Sequence, residues 1–201
     1  MRVTIFDYGA GNIHSLAKAV GAYGADVVIE PDPVRAVDTD ALVLPGVGAF
    51  GAAAERLAPG REHMRMALGA GLPCLGICLG MQLLFDRSDE APEGTLGLGV
   101  IPGHVARLAA RRVPQIGWNT VDEASDPLLA CAPLPYVYYA NSYVCRPLDS
   151  HAFVRAWSTH EGDRFPAIVR ADRTVGVQFH PEKSSRPGLR FLHAFLESAR
   201  Q

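Results

Sequence analysis

The amino-terminal half of the chain alternates short apolar runs with helical patterns, and this alternation limits the possible folds more than any other feature. Four runs have the length of a strand and are almost free of polar residues: 3–6, 27–29, 41–44 and a run that ends near Ile77. Helical patterns separate them, from Ile13 to about Tyr23 and again up to Leu68. Strands that are apolar on both faces are typical of parallel sheets covered by helices. The sequence therefore predicts an α/β fold with a mostly parallel central sheet.

The carboxy-terminal half has a different pattern. Between Leu96 and Phe179 helical periodicity is weak, and strand-like runs alternate with proline and glycine; the clearest runs are 136–139, 152–157, 167–169 and 175–179. We expect these runs to form antiparallel strands, either added to the central sheet or in a small flanking sheet. Apolar residues at 189, 192, 195 and 196 predict a closing amphipathic helix. Because no linker or repeat interrupts the sequence, residues 1–201 are predicted to form a single domain.

Composition and charge exclude several classes of function. The chain has 201 residues, of which 48% are apolar and 20% charged, as in ordinary globular proteins. Its net charge of −2 comes without any basic block, so neither nucleic acid nor a membrane is expected as a partner. The spacing of the four cysteines suits neither zinc nor a disulfide framework. We therefore expect a cytoplasmic protein with no metal and no cofactor.

The glycines after the first strand, Gly9 and Gly11, suggest a dinucleotide-binding turn. Glu30, at the end of the second strand, resembles the acid that binds a ribose in such sites. The pattern fails at its third glycine position, because His14 stands where close packing of the helix on the sheet requires glycine or alanine. A tight turn that leads into a helix is the better interpretation.

The segment Gly76-Ile77-Cys78-Leu79-Gly80 marks the junction of an apolar strand with a helix. It is the nucleophile-elbow pattern with cysteine in place of serine, in which small residues on both sides allow a sharp turn that presents the middle side chain. The N-terminus of the following helix, predicted to continue over residues 81–85, favours a thiolate. A buried structural cysteine is the competing interpretation. That interpretation suits Cys74, inside the apolar run, better than Cys78.

A strand over residues 175–179 is followed directly by His180-Pro181-Glu182. A histidine can accept and return the proton of a thiol, and a carboxylate can orient the imidazole and stabilise its charged form. On its own, this tripeptide could be a surface turn. Together with the elbow at Cys78, about 100 residues upstream, it predicts a catalytic triad of Cys78, His180 and Glu182. Metal binding is disfavoured because no third ligand lies at a suitable spacing.

A glycine-rich loop, Pro45-Gly46-Val47-Gly48, follows the strand at residues 41–44. Its two glycines leave backbone N–H groups free to face a ligand. The predicted donors of an oxyanion hole are therefore Val47 and Leu79, the residue after the nucleophile. The nucleophile, the acid–base pair and this loop all follow strand ends. Since ligands of open parallel sheets bind at that edge, we predict an active site there.

Three motifs together resemble those of the class I, or triad, glutamine amidotransferases: Pro45-Gly46-Val47-Gly48, Gly76-Ile77-Cys78-Leu79-Gly80-Met81-Gln82 and Phe179-His180-Pro181-Glu182. Three further segments are similar to the glutaminase subunits of imidazole glycerol phosphate synthase, a branch of this family. They are Asp7-Tyr8-Gly9-Ala10-Gly11-Asn12, Pro114-Gln115-Ile116-Gly117-Trp118-Asn119 and Glu182-Lys183-Ser184-Ser185. The resemblance spans nearly the whole chain, and the triad motifs are its most specific part.

The resemblance implies a role for each matching residue. Cys78 would attack the side-chain amide of glutamine, His180 would act as acid and base, and Glu182 would orient the imidazole. The residues implied to hold the substrate are Gly46, Gly48, Gln82, Asn141, Ser142 and Tyr143. The family usually has His-Ser-Tyr at the last three positions, so Asn141 departs from the pattern. A role that needs an imidazole there is therefore not carried over, whereas contacts through backbone groups are.

The resemblance also implies a partner, a (βα)8-barrel cyclase subunit in a heterodimer. Ammonia would pass through that barrel to a ribulosyl phosphate substrate, giving imidazole glycerol phosphate and an aminoimidazole carboxamide ribotide in histidine biosynthesis. The residues implied to face the partner are Asn12, Trp118, Asn119 and Lys183. A core tryptophan with a capping asparagine is the competing interpretation of Trp118 and Asn119. Lysine occurs at only two positions in this arginine-rich chain, which singles out Lys183 beside the triad.

Two other functions stay open at this point. The chain could be the glutaminase subunit of a different ammonia-using synthase, although Lys183-Ser184-Ser185 and Gly117-Trp118-Asn119 argue against it. It could also be a subunit retained for assembly alone, but an intact Cys78, His180 and Glu182 argue against that.

Overall fold

The computed structural model of the chain describes residues 1–9 and 13–201, in which there are twelve strands and seven helices. The strands are β1 (Arg2–Phe6), β2 (Asp26–Glu30), β3 (Ala41–Leu44), β4 (Cys74–Ile77), β5 (Arg87–Ser88), β6 (Gly103–Arg107), β7 (Gln115–Thr120), β8 (Tyr136–Asn141), β9 (Tyr143–Pro147), β10 (Val154–His160), β11 (Asp163–Ala171) and β12 (Thr174–Val177). The helices are α1 (His14–Gly21), α2 (Phe50–Leu57), α3 (Arg61–Gly69), α4 (Leu79–Gln82), α5 (Pro127–Cys131), α6 (Ser150–Phe153) and α7 (Ser185–Ala199). Short 3₁₀ turns occur at Arg35–Val37, Ala58–Gly60 and Pro181–Lys183.

Seven strands form the central sheet, in the order β10-β11-β12-β4-β3-β1-β2. The five strands from β12 to β2 run parallel to one another, and β11 and β10 are added antiparallel. The parallel strands therefore all end at one edge of the sheet, where the loops after β3, β4 and β12 meet. The predicted fold class, a mostly parallel sheet with antiparallel strands added in the second half, is confirmed.

The core lies on both faces of this sheet. In β3, Ala41 and Val43 belong to one hydrophobic cluster, while Leu42 and Leu44 belong to the other. Helix α7 packs in the first cluster, and helices α2 and α3 pack in the second. Because successive side chains of a strand point to opposite faces, every residue of β3 is buried, which explains its unbroken apolar sequence.

Strand β2 is not buried as its apolar run predicts. Its residues are exposed or half-buried, and Ile29 keeps 39% of its surface exposed. The physical reason is its position, since β2 is the last strand of the sheet beyond β1 and only one of its edges is paired. A run of three apolar residues does not reveal whether a strand is central or at an edge.

The helix after the elbow is shorter than the predicted helix over residues 81–85. Helix α4 ends at Gln82. The carbonyl of Leu83 accepts a hydrogen bond from Leu98 N–H at 2.7 Å, and that of Leu84 accepts one from Val100 N–H at 2.8 Å. The N–H groups of Leu84 and Phe85 bond to the carbonyls three residues earlier, those of Met81 and Gln82, at 3.1 Å each, so the chain forms turns there and not a further α-helical turn. A one-turn helix has only a small dipole, so the environment of Cys78 depends mainly on its side-chain neighbours.

The carboxy-terminal half contains both kinds of antiparallel structure that the sequence left open. Strands β10 and β11 extend the central sheet, while β5-β6-β9 and β7-β8 form separate sheets of three and two strands. The predicted strand over residues 152–157 begins only at Val154. The reason is that Asp149 accepts a hydrogen bond from Ala152 N–H at 3.0 Å and caps helix α6.

Residues 1–9 and 13–201 contain neither a membrane-spanning helix nor a metal-binding cluster. No helix in these ranges has the length and apolar character needed to cross a membrane. Within the same ranges, no group of three His, Cys, Asp or Glu side chains is placed to hold a metal ion.

A buried ion pair joins the sheet to helix α5. The two carboxylate oxygens of Asp126 accept hydrogen bonds from the guanidinium group of Arg170 on β11, at 2.7 and 2.9 Å. The same carboxylate accepts a bond from Leu128 N–H at 3.0 Å and caps α5. Because the Asp126 side chain is fully buried, its removal would leave a cation without its partner and a helix without its cap.

We expect Asp126→Ala to lower the free energy of unfolding by about 3–5 kcal/mol, the usual cost of removing one partner of a buried ion pair. Urea denaturation near neutral pH measures this change. Glu62→Ala is the matched control, because it removes one partner of the exposed pair with Arg65 and should leave the midpoint nearly unchanged. Equal, small effects of both variants would contradict the expectation.

Candidate active site

Cys78 occupies a sharp turn between β4 and α4. Its backbone has φ of +47° and ψ of −102°, a strained conformation for a residue with a side chain. Its N–H donates to the carbonyl of Val177 at 2.7 Å and so ties the turn to β12. A Cβ on Gly76 would lie 2.7 Å from the carbonyl of Gly80, and a Cβ on Gly80 would overlap the carbonyl of Leu44. The turn therefore requires glycine on both sides, as in a nucleophile elbow.

His180 and Glu182 follow the end of β12, beside the elbow. Nδ1 of His180 lies 2.8 Å from Oε1 of Glu182, and the backbone N–H of His180 donates to the carbonyl of Tyr138 at 2.9 Å. The imidazole is buried, and both the sulfur of Cys78 and the carboxylate of Glu182 act on it to raise its pKa. The structure thus brings the three predicted triad residues together in series.

This environment favours the protonated form of His180. Burial of the ring opposes protonation, but hydrogen bonds to the sulfur of Cys78 and the carboxylate of Glu182, and the negative charges on both groups, outweigh it. Together they raise the pKa of His180 from its ordinary value of 6.5 to about 9. The second carboxylate oxygen of Glu182, Oε2, is buried and has no hydrogen-bond partner among the described residues. At neutral pH an imidazolium therefore lies between a sulfur and a carboxylate.

The loop after β3 lies against the triad. A Cβ on Gly46 would be 2.9 Å from Cε1 of His180 and 3.0 Å from Cβ of Cys78. Gly48 has φ of +105°, a conformation that favours glycine. Between these glycines Val47 is half-buried, and Leu79 is buried at the start of α4. Gly46, next to Val47, thus lies against Cys78, and Leu79 follows Cys78 directly.

The backbone carbonyl of Tyr143 connects two of the predicted substrate residues. It accepts hydrogen bonds from Nε2 of Gln82 at 3.1 Å and from Nδ2 of Asn141 at 3.2 Å. Ser142 is half-buried between Asn141 and Tyr143. Oδ1 of Asn141 is buried and makes no hydrogen bond within the described part of the chain. The amide at position 141 therefore keeps an acceptor atom unused.

Exposed apolar side chains lie near the triad on the hairpin of β7 and β8. Trp118 keeps 53% of its surface exposed, and Ile116 and Tyr136 keep 67% and 59%. The pairing of Thr120 with Tyr136 places these three side chains on one face of the hairpin. Trp118 is therefore not a core residue, and its competing interpretation is wrong.

Asn119 and Lys183, which are also predicted to face a partner, differ in their surroundings. Nδ2 of Asn119 donates to the carbonyl of Thr159 at 2.9 Å, and its Oδ1 accepts a bond from Thr120 N–H at 2.8 Å. The Asn119 side chain thus links the hairpin to β10. Lys183 is exposed in the turn directly after Glu182. Asn12 lies outside the described residues.

The chain is similar to known proteins over nearly its whole length. Residues 4–199 match the family model described as glutamine amidotransferase class-I. The chain belongs to the class I glutamine amidotransferase family. It is 43% identical over 196 residues to the imidazole glycerol phosphate synthase subunit HisH of Thermus thermophilus, covering 96% of this chain and 95% of that protein. It is 41% identical over 203 residues to the protein of the same name from Halobacterium salinarum, with coverage of 97% and 92%.

Solved structures of low sequence identity share the amidotransferase fold. A crystal structure of a glutamine amidotransferase superposes with a TM-score of 0.76 at 22% identity, covering 99% of both chains. The glutaminase domain of Trypanosoma brucei CTPS with bound acivicin has a TM-score of 0.71 at 14% identity, covering 99% of this chain and 93% of that one. The predicted relationship is confirmed: the chain is a glutamine amidotransferase enzyme related to the glutaminase subunits of imidazole glycerol phosphate synthase.

Two polar residues of this amidotransferase site, Gln178 and Ser184, were not singled out in the sequence. Nε2 of the fully buried Gln178 lies 3.5 Å from Sγ of Cys78. The hydroxyl of Ser184 donates to the carbonyl of His180 at 2.7 Å and accepts a bond from Tyr138 N–H at 2.9 Å. In the sequence, Gln178 could have been noticed as the one polar residue inside the predicted apolar strand over residues 175–179. In the sequence, Ser184 is marked only as part of the segment Glu182-Lys183-Ser184-Ser185.

The remaining cysteines of the amidotransferase differ from Cys78 in their surroundings. Cys74 and Cys145 are buried, and burial raises the pKa of both thiols well above the ordinary value. Cys131 is exposed, and all four cysteines are free. The interpretation of Cys74 as a buried structural residue agrees with these observations.

We expect His180 to make the stability of this amidotransferase depend on pH. Its pKa of about 9 in the folded chain exceeds the ordinary value of 6.5, so protonation favours folding. This stabilisation is complete below about pH 6.5 and is lost as the pH rises through about 9. His180→Asn should therefore remove that part of the fall in unfolding free energy, which urea denaturation at a series of pH values measures. His193→Asn, at a half-exposed site on α7, is the control; a fall that persisted unchanged in His180→Asn would contradict the expectation.

Proposed function

We propose that Cys78, His180 and Glu182 hydrolyse the side-chain amide of L-glutamine to glutamate and ammonia, and that the ammonia passes to a cyclase subunit. The observation that carries this proposal is the series of thiol, buried imidazolium and carboxylate beside the strand ends of a parallel sheet. These groups are a nucleophile, an acid–base and an orienting group, as acyl transfer from an amide requires. The relatives named imidazole glycerol phosphate synthase subunit HisH support this particular role.

The raised pKa of His180 determines the order of proton transfers. With the imidazole protonated, the adjacent sulfur attacks as a thiolate and forms a bond to the amide carbon. The imidazolium then gives its proton to the departing nitrogen, so that the C–N bond breaks and ammonia leaves a thioester. The neutral imidazole next takes a proton from the water that attacks the thioester, and the C–S bond breaks to release glutamate and the thiolate. Glu182 accepts the Nδ1–H bond and stabilises the charged ring.

The oxygen that becomes negatively charged in both steps is proposed to bind the N–H groups of Val47 and Leu79. The proximity of Gly46 to Cys78 and His180 supports this role of the loop. The loss of one such donor slows acyl transfer by roughly 10²–10³-fold. Because glycines flank Val47, its peptide can rotate at low steric cost, so binding of the partner can complete the oxyanion hole.

The substrate is proposed to lie against Gly46, Gly48, Gln82 and the segment Asn141-Ser142-Tyr143. Nε2 of Gln82 already donates to the carbonyl of Tyr143 and to Oε1 of Gln178. The amide oxygen of Gln82 is therefore available to accept a hydrogen bond from a ligand. Oδ1 of Asn141 is a second unused acceptor. Two carbonyl oxygens suit the α-ammonium group of glutamine, so asparagine can replace the histidine that the family usually has.

The proposed partner is a (βα)8-barrel cyclase that docks on the β7–β8 hairpin and on the turn at Lys183, giving a heterodimer. Exposed apolar residues gathered on one face, here Ile116, Trp118 and Tyr136, are typical of interaction sites. The hairpin also contacts the triad directly, because the carbonyl of Tyr138 accepts a hydrogen bond from the backbone N–H of His180. A partner bound there would receive ammonia next to its source. A cytoplasmic location stays a prediction that rests on the four free cysteines.

We expect Cys78→Ser or Cys78→Ala to abolish the release of glutamate from glutamine, because only the covalent step is removed. Binding of the cyclase and synthase activity with free ammonium should persist. Cys74→Ala is the matched control; it should lower stability, because the side chain is buried, and leave glutaminase activity in place. Glutamate release by a Cys78 variant would reject the nucleophile.

Lys183→Ala should weaken association with the cyclase several-fold or uncouple glutamine hydrolysis from imidazole glycerol phosphate formation. The reason is that an exposed ammonium directly after Glu182 is lost from the proposed interface. Titration calorimetry measures the affinity, and the ratio of glutamate to cyclised product measures the coupling. Lys18→Ala, in the last turn of α1, is the control. Unchanged affinity together with full coupling would reject a role for Lys183.

A further inference from the structure

We propose that Gln178 is a further catalytic residue of this site, whose side-chain amide donates a hydrogen bond to Sγ of Cys78 and stabilises the thiolate. The inference rests on the proposed function in taking Cys78 as the nucleophile. The Gln178 amide would be a second donor to this sulfur beside the His180 imidazolium, and one that carries no charge.

Backbone hydrogen bonds fix the positions of Gln178 and Cys78 relative to each other. Nε2 of Gln178 lies 3.5 Å from Sγ of Cys78, within hydrogen-bond range for a sulfur acceptor. The N–H of Gln178 donates to the carbonyl of Ala167 at 3.0 Å, and the N–H of Cys78 donates to the carbonyl of Val177 at 2.7 Å. Both residues are therefore attached to paired strands of the central sheet, and the contact does not depend on a loop.

A second amide determines which end of Gln178 faces the sulfur. Oε1 of Gln178 accepts a hydrogen bond from Nε2 of Gln82 at 3.4 Å, and the same nitrogen donates to the carbonyl of Tyr143 at 3.1 Å. Reversal of the Gln178 amide would set two N–H donors against each other and place an oxygen against a thiolate. The network therefore directs Nε2 toward Sγ.

Packing alone does not account for a glutamine at this position. The Gln178 side chain is fully buried between Val177 and Phe179 in sequence, and both of these are fully buried as well. A buried amide is unfavourable unless its polar atoms are hydrogen-bonded, and an apolar side chain of similar volume would avoid that cost. The partners of Gln178 are Gln82 and Cys78, both in the proposed site, so its polarity is explained by the chemistry there.

The reaction uses such a donor at both of its stages. The thiolate is the nucleophile in the first step and the leaving group in the second, and a hydrogen bond to a charged acceptor is stronger than one to a neutral acceptor. Between the departure of ammonia and the attack of water, His180 has given up its proton. In that interval the sulfur is the uncharged sulfur of the thioester, and the Gln178 amide donates to it as a thiolate again once the C–S bond breaks.

Alkylation by iodoacetamide over a range of about pH 5 to 10 tests this donor in the full chain, with each cysteine followed by peptide mass spectrometry. Gln178→Met keeps the side-chain volume and removes the donor. We expect the midpoint for alkylation of Cys78 to rise by about one pH unit, which lowers the rate about tenfold at pH values below the midpoint of the unmodified chain. The exposed Cys131 is the internal control, and its midpoint should not move. In the complex with the cyclase, kcat for glutamate release should fall while KM stays unchanged.

Gln178→Glu is the second variant, because it keeps the shape and the acceptor for Gln82 but places an oxygen against the sulfur. It should raise the midpoint at least as far as Gln178→Met does. Unchanged Cys78 midpoints in both variants, with native circular dichroism, would overturn the proposal. Since alkylation does not involve glutamine, it tests the donor separately from the substrate. Absence of glutamate release by the unmodified complex would instead reject the proposed function.

Discussion

The parallel pairing of β4 with β12 is the constraint on which the candidate site depends. Its register places Ile77 opposite Val177, and each strand is followed at once by a chemically active segment. The bond from Cys78 N–H to the Val177 carbonyl extends the pairing by one residue into the elbow. A thiol and an imidazole about 100 residues apart in the sequence are therefore brought together by the register of two central strands and not by loops.

The strain of the elbow is held by the core around it. A non-glycine residue with φ of +47° costs on the order of 1–3 kcal/mol and persists only where the surroundings enforce it. Here β4 is fully buried between two hydrophobic clusters, and Gly80 packs directly on the carbonyl of Leu44. The free energy gained by burying these apolar strands thus offsets the cost of the strained backbone at Cys78, which the proposed chemistry requires.

The β7–β8 hairpin connects the outer surface to His180. Its exposed face contains Trp118, which makes an edge contact with the ring of Tyr138 at 6.2 Å between centroids. The backbone of Tyr138 in turn bonds to His180 and to the hydroxyl of Ser184. A subunit bound to the proposed interface would therefore be separated from the triad by one layer of hydrogen-bonded backbone. This arrangement gives a physical route by which docking can affect catalysis.

Sequence patterns alone predicted the fold class, the elbow at Cys78, and the positions of His180, Glu182 and the Val47 loop after strand ends, because each of these follows from a local pattern. Apolar runs of strand length, glycines at sharp turns and reactive residues at strand ends are properties of short segments. The tertiary structure alone decided that β2 is an edge strand, that α4 ends at Gln82 and that Asn119 bonds to Thr159. It also decided that Gln178 faces the sulfur. Each of these features depends on hydrogen bonds or pairing between residues far apart in the chain, which no short stretch of sequence specifies.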